Sequence, residues 1–265
     1  MNIHRFQSDK LSIISQACRK AMAIVAFQQD LIDTLLEIDS SFSSKARMIP
    51  QAITTPIAKP MLPRPWSSAG SRAQSNELLD KLDIQPSQRL ILLPSGLRPV
   101  KDVLFVSEAV ANWHRDDPSV CFRIVGPELD LSYSKQVQDH MYRQEPRGAI
   151  SWIGVLPQDE LHAAMVAAAI TVNSSVAEGM CNSVLESMLL GTPVIARDNA
   201  GNRALVRPGE TGEIFESAEE FVEKAKRLLD NPDLANKLSV AARRMVEQVH
   251  SPEVERSAYA QLLKD

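Results

Sequence analysis

Two kinds of hydrophobic pattern divide the chain. Over residues 8–38 (SDKLSIISQACRKAMAIVAFQQDLIDTLLEI) apolar side chains recur at Leu11, Ile14, Cys18, Met22, Val25 and Leu31, a helical spacing, with Ser8 placed as an N-cap. This pattern predicts one or two helices, followed by a short strand over residues 46–53. Five prolines then fall between Pro50 and Pro65, and SSAGSRAQS follows them, a composition that suits an extended linker. From Arg89 onward the rhythm changes. The short apolar runs RLILLP, VCFRIVG, ISWIGV, AITVNSS, TPVIAR and GEIF are separated by amphipathic stretches such as residues 102–113 and 159–168. Strands rich in Ile, Leu and Val that alternate with helices predict a parallel sheet covered on both faces, a doubly wound, Rossmann-like α/β domain. After Ser217 the pattern is helical throughout, and Pro232 and Pro252 stand where first turns begin.

These patterns predict an incomplete, mainly helical N-terminal region over residues 1–60, a Pro/Ser-rich linker over 61–75 and the Rossmann-like domain with its C-terminal helices over 76–265. Only Gly70 of the ten glycines precedes Gly96. Residues 1–88 hold too few strand-like runs for a sheet of their own, so they are expected to be the tail of a domain whose beginning is absent, or an appendage.

Composition narrows the chemistry. A 44% hydrophobic content is ordinary for a globular protein, and a formal charge of -4 disfavours non-specific nucleic-acid binding. Cys18, Cys121 and Cys181 lie far apart with no metal-type spacing, which argues against disulfides and zinc and suits a reducing compartment. The N-terminus has no apolar signal core and no run is long enough to span a membrane, so a cytoplasmic protein is expected. His4, His114, His140, His162 and His250 show no metal or triad spacing and read as surface or helix residues. Trp66, in the proline-rich stretch, reads as docked against a domain.

In an open α/β sheet, ligands bind beyond the carboxyl ends of the strands. Three loops there stand out. In PSGLRPVKD, Gly96 permits a tight turn, and Arg98 and Lys101 place two cations at a helix mouth suited to an anion; two solvated surface cations are the plainer alternative. The P-loop pattern is absent. In IVGPELD, Gly126 follows a strand and would let a ligand approach the backbone, or simply makes a turn. The third loop is in SSVAEGMCNSVLESMLLGTPVIA. There Glu178 sits on a turn, Asn182 or Ser183 would cap a helix that runs through Leu190 to Gly191, and Glu186 falls about one turn into it. A loop carboxylate, free amides over residues 179–183 and a second carboxylate on the same rim would serve sugar hydroxyls, a diphosphate and a ribose. Alternatively Glu178 is a solvated loop acid and Glu186 an ion-paired helix acid.

The stretch EGMCNSVLESMLLGTPVIA, together with NAGNRALVRPGETGEIF and SGLRPVKD, resembles the donor-binding half of the GT-B glycosyltransferases of family 4, the glycosyl transferases group 1. Their E-x7-E motif is matched over nearly its whole length, and the likeness runs from about Arg89 to the last residue. The resemblance implies the C-terminal half of a GT-B fold and a retaining hexosyltransferase that moves a sugar from a UDP- or GDP-linked donor to an acceptor, with no metal and no further cofactor. It implies that Glu178 binds the sugar hydroxyls, with the amides of Gly179, Met180 and Cys181 near sugar and diphosphate. Glu186 would take the ribose, Arg98 and Lys101 the diphosphate, and the backbone at Gly154 and Val155 the base. Family members commonly place Arg directly after the loop glycine. Here Gly96 is followed by Leu97 and Arg98, which moves the cation towards Lys101. Two other readings remain: a non-catalytic nucleotide-sugar-binding or regulatory protein that associates through residues 1–60, and a nucleotide-sugar epimerase.

Overall fold

The computed structural model describes residues 13–55 and 72–264. Ser8, Leu11 and Trp66 lie outside the described residues, as does most of the proline-rich stretch. The chain divides into two compact units, residues up to Ala52 together with those from Val249 onward, and Ile53–Gln248.

In the first unit, helix α1 covers residues 13–20, strand β1 Ile24–Ala26, helix α2 Gln29–Ile38 and strand β2 Ala46–Met48. The two strands pair in parallel, Val25 opposite Arg47, with α2 as the crossover that parallel pairing requires. The helical pattern over residues 8–38 is therefore interrupted by a strand. Ile24-Val25-Ala26 is a β-branched run that fits either period, and Met22, assigned to the apolar helix face, is 96% exposed. Strand β2 is shorter than residues 46–53, because Pro50 lacks the N–H that would extend the ladder. The unit ends with α11 (Pro252–Leu262), and Glu255 Oε1 accepts the amide of Ala52 at 3.2 Å.

The second unit is the doubly wound domain. After α3 (Arg72–Lys81), the six apolar runs become β3 (Arg89–Pro94), β4 (Val120–Val125), β5 (Ile150–Gly154), β6 (Ile170–Asn173), β7 (Val194–Arg197) and β8 (Glu213–Phe215). Between them run α4 (Ser107–Asp116), α5 (Leu131–Arg143), α6 (Gln158–Ala167), α7 (Asn182–Leu190) and α8 (Ala200–Leu205). Helices α9 (Ala218–Asp230) and α10 (Pro232–Val249) follow. The sheet order is β5-β4-β3-β6-β7-β8 and every pair is parallel.

Alternation along the strands fills both faces. On β3, Ile91 and Leu93 join the layer containing Val110 of α4 and Phe221 of α9, while Leu90 and Leu92 join Ala164 and Met165 of α6 on the other side. Farther along that side, Val194 and Ala196 of β7 pack with Val184, Leu185 and Met188 of α7. Burial on both faces explains why the strands read as continuous apolar runs. The order reverses between β3 and β6, and the crevice beyond their carboxyl ends is the topological switch point of such a sheet. No helix among the described residues is long and apolar enough to cross a membrane.

Candidate functional site

The loops after β3 and β6 border this crevice and are tied to each other. Ser174 Oγ donates to the carbonyl of Lys101 at 2.9 Å, and the Val176 amide donates to Val100 at 2.9 Å. Arg197, from β7, donates to Asp102 Oδ2 at 2.7 Å and lies 3.6 Å from the centre of the Phe105 ring. These contacts fix the turn Pro99–Lys101, whose last side chain reaches across the switch point.

There Lys101 Nζ meets Glu178 Oε1 at 2.5 Å. The same oxygen accepts from Ser175 Oγ at 2.6 Å and from Asn173 Nδ2 at 3.0 Å. Oε2 has no partner among the described residues. Burial works against the charge on Glu178, but the hydrogen bonds from Lys101, Ser175 and Asn173, helped by the Lys101 charge, outweigh it and hold the carboxyl below its ordinary value. Glu178 is thus an oriented, paired anion rather than a solvated loop acid. Its support extends to the start of α8. The amide side chain of Asn202 bonds Asn173 Oδ1 at 2.9 Å, that of Asn199 bonds the carbonyl of Ser175 at 2.9 Å, and a Cβ on Gly201 would stand 2.2 Å from the carbonyl of Glu178. Only glycine allows that approach.

Cys181, not Asn182 or Ser183, is the N-cap of α7, and it makes no side-chain cap bond. Its buried Sγ lies 3.0 Å from Asn173 Nδ2 and 3.3 Å from Ser183 Oγ, and burial together with the charge of Glu178 raises its pKa. Gly191 closes the helix in the left-handed conformation, as expected. Gly179 is exposed, Met180 half-buried, and a Cβ on Gly179 would touch nothing, so this turn is open at the helix start. Glu186 follows on α7 and is not ion-paired along its helix. The buried ring of His162 stands beside it, with Nε2 at 3.8 Å from Oε2, and burial raises its pKa.

Arg98 is exposed and its guanidinium has no partner among the described residues. The loops after β3, β4 and β5 meet through backbone. A Cβ on Gly126 would stand 2.2 Å from the carbonyl of Ser95, one on Gly96 2.5 Å from Leu129, and the Gly126 amide bonds the carbonyl of Gly154 at 2.8 Å. Gly154 adopts φ 83° with open space where a Cβ would be, and Val155 beyond it is 67% exposed. Gly126 and Gly96 thus serve close packing of the rim, while Gly154 and Val155 face outward.

Asn173, Ser175, Arg197, Asn199, Gly201 and Asn202 carry no motif of their own; only their position at or after strand ends marks them. His114 and His162 lie on helices, as expected, and His250 follows the last residue of α10. His114, His162 and His250 are buried. Among the described residues no group of three or more His, Cys, Asp or Glu side chains is placed to hold a metal ion.

A doubly wound domain with a cation, a held carboxylate and an open helix start at its switch point is built to receive an anionic ligand with polar substituents. The chain belongs to the Glycosyl transferases group 1 family, which it matches over residues 74–245. It is 32% identical over 256 residues to glycosyltransferase 1 domain-containing protein 1 of Xenopus tropicalis, covering 96% of this chain and 70% of that one. It is 27% identical over 177 residues to a trehalose synthase of Pyrococcus horikoshii, covering 64% of this chain and 42% of that one. Among solved structures, HepE of Anabaena in complex with UDP-glucose superimposes with a TM-score of 0.81 at 17% identity, over 100% of this chain and 70% of that one. The likeness of fold confirms the expected C-terminal half of a GT-B architecture.

Proposed function

We propose that this chain binds a nucleotide-sugar donor at the β3/β6 crevice and belongs, within its family, to the retaining, metal-independent enzymes of family 4. The observation that carries the reading is the contact between Lys101 and Glu178 across the switch point. A diphosphate entering the crevice competes with Glu178 for Lys101, Arg98 supplies a second, unpaired cation, and the amides of Gly179, Met180 and Cys181 complete the anion site. Released in part from Lys101, Glu178 keeps Ser175 and Asn173 on Oε1 and turns Oε2 to the sugar hydroxyls. Glu186 takes the ribose and the rim at Gly154 and Val155 lies along the base.

In the transfer, the bond from the anomeric carbon to the diphosphate breaks and the electron pair leaves with the diphosphate. The acceptor oxygen forms its new bond on the same face, and its proton passes to a diphosphate oxygen. Lys101 and Arg98 stabilise the charge that develops on the leaving group, where preorganised cations contribute most. The relatives support the donor class: HepE is described with UDP-glucose.

Calorimetric titration of the 265-residue chain with UDP, GDP and their glucose conjugates, with and without added magnesium, tests the reading. Saturable binding without the metal is expected, and absence of binding to all four ligands contradicts it.

A further inference from the structure

His162 is the polar anomaly of the sheet face that carries α6. It is 0% exposed, and neither ring nitrogen has a hydrogen-bond partner. Around it α6 contributes Ala164 and Met165 to an apolar layer. Burial pulls the imidazole pKa down, with Asp159 acting weakly the other way, so the ring is neutral and carries one N–H donor. An unpaired donor in such a layer lowers stability without return. Facing it is Glu186 on α7, the helix packed beside α6, with Oε2 3.8 Å from Nε2, about 1 Å beyond hydrogen-bond length. That carboxylate is itself without a hydrogen-bond partner among the described residues. A small rotation of one side chain joins the two.

We propose that His162 is a positioning residue for Glu186: its Nε2–H donates to Oε2 when the carboxylate receives the ribose of the donor, which turns Oε1 towards the hydroxyls. This rests on the assignment of Glu186 to the ribose. Neutral imidazole suits the task, because it fixes the carboxylate and favours its charged, accepting form without neutralising it as an ion pair would. The donor that costs stability in the free protein is thereby satisfied in the complex.

The test compares UDP with 2′,3′-dideoxyuridine diphosphate, which lacks the hydroxyls, in wild type, Glu186→Ala, His162→Leu, His162→Gln and the Glu186→Ala/His162→Leu double variant. Loss of a hydrogen bond to a charged group is expected to weaken UDP about tenfold in His162→Leu. The dideoxy ligand should bind as to wild type, and the double variant no worse than Glu186→Ala alone. His162→Gln, which keeps a donor at similar reach, should restore most of the preference for UDP. The free His162→Leu protein should unfold at or above the wild-type temperature, since it loses an unpaired polar group. Equal weakening of both ligands, unchanged UDP affinity, or a lowered unfolding temperature overturns the proposal and makes His162 a packing residue. If wild type does not distinguish the two ligands, or Glu186→Ala leaves UDP binding unchanged, the ribose assignment itself fails and the proposal falls with it.

Discussion

Arg123 and Lys101 are both cations drawn out of water by the same sheet, and they are held differently. Arg123, on β4, is 1% exposed and turns towards the ends where strands begin. It donates to the carbonyls of Leu82 at 2.7 Å, Phe122 at 3.0 Å and Gly148 at 3.0 Å, and also to that of Asp83. Its hydrogen-bond acceptors are all backbone carbonyls, with the exposed Asp83 carboxylate 3.9 Å away, so the guanidinium closes the domain and has nothing left to offer a ligand. Lys101, at the carboxyl ends, has a single charged partner in Glu178, which keeps a free oxygen, and beside it stand an unpaired arginine and an open helix start. Polar groups at one end of the sheet are satisfied internally, and at the other they are held in position but left incomplete. The same division separates Arg123 from His162, the buried ring whose partner waits 3.8 Å away.

Substitutions should separate the two ends. The largest effect is expected from Arg123→Met, which strands several buried carbonyls: a loss on the order of 3 to 5 kcal/mol of stability by urea denaturation. The folded variant should keep wild-type affinity for UDP. Lys101→Ala should act on the ligand. Stability falls too, because Glu178 loses the cation that holds its charge, but the distinguishing effect is on binding: UDP weakens by about 2 kcal/mol and uridine stays as it was, measured by calorimetry. Gly201→Ala forces a Cβ towards the carbonyl of Glu178. It should cost about 1 to 3 kcal/mol of stability and weaken UDP-glucose more than UDP.

The smallest and sharpest contrast is in acid. The pKa of Glu178 is lowered from 4.5, so its charge contributes stability above that value, lost as pH falls below it. Glu178→Gln should therefore be less stable than wild type at neutral pH, with the gap closing only below 4.5. Glu186 is raised from 4.5, so its contribution is complete below that value and lost as pH rises through its higher folded pKa. Glu186→Gln should be more stable than wild type at neutral pH, and the advantage should shrink on acidification. Thermal unfolding across pH 3 to 7 distinguishes the two signs.

How much of this was legible in the sequence follows from the same physics. The six strands were readable because strands buried on both faces leave uninterrupted runs such as RLILLP. Strand β1 was not, because Ile24-Val25-Ala26 satisfies a helical period too, and what settles it is pairing with Ala46–Met48 across a crossover. The facing pair Lys101 and Glu178 was marked by loops that follow strands and by the E-x7-E resemblance. The groups that orient Glu178 were hidden, since Asn173 and Ser175 look like the polar end of any strand, and Gly201 acquires its role only from a backbone 23 positions earlier in the chain, at Glu178. His162 stands in ELHAAMVAAA, where nothing in the helical pattern tells an exposed ring from a buried one.

The role proposed for Lys101 is to receive a nucleoside diphosphate in the crevice between β3 and β6. It is tested most directly by titrating wild type and Lys101→Ala with UDP and with uridine under identical conditions. A wild-type preference for UDP that disappears in the variant, with uridine affinity unchanged, is the expected result. Equal losses for both ligands, or UDP affinity untouched by the substitution, would contradict it.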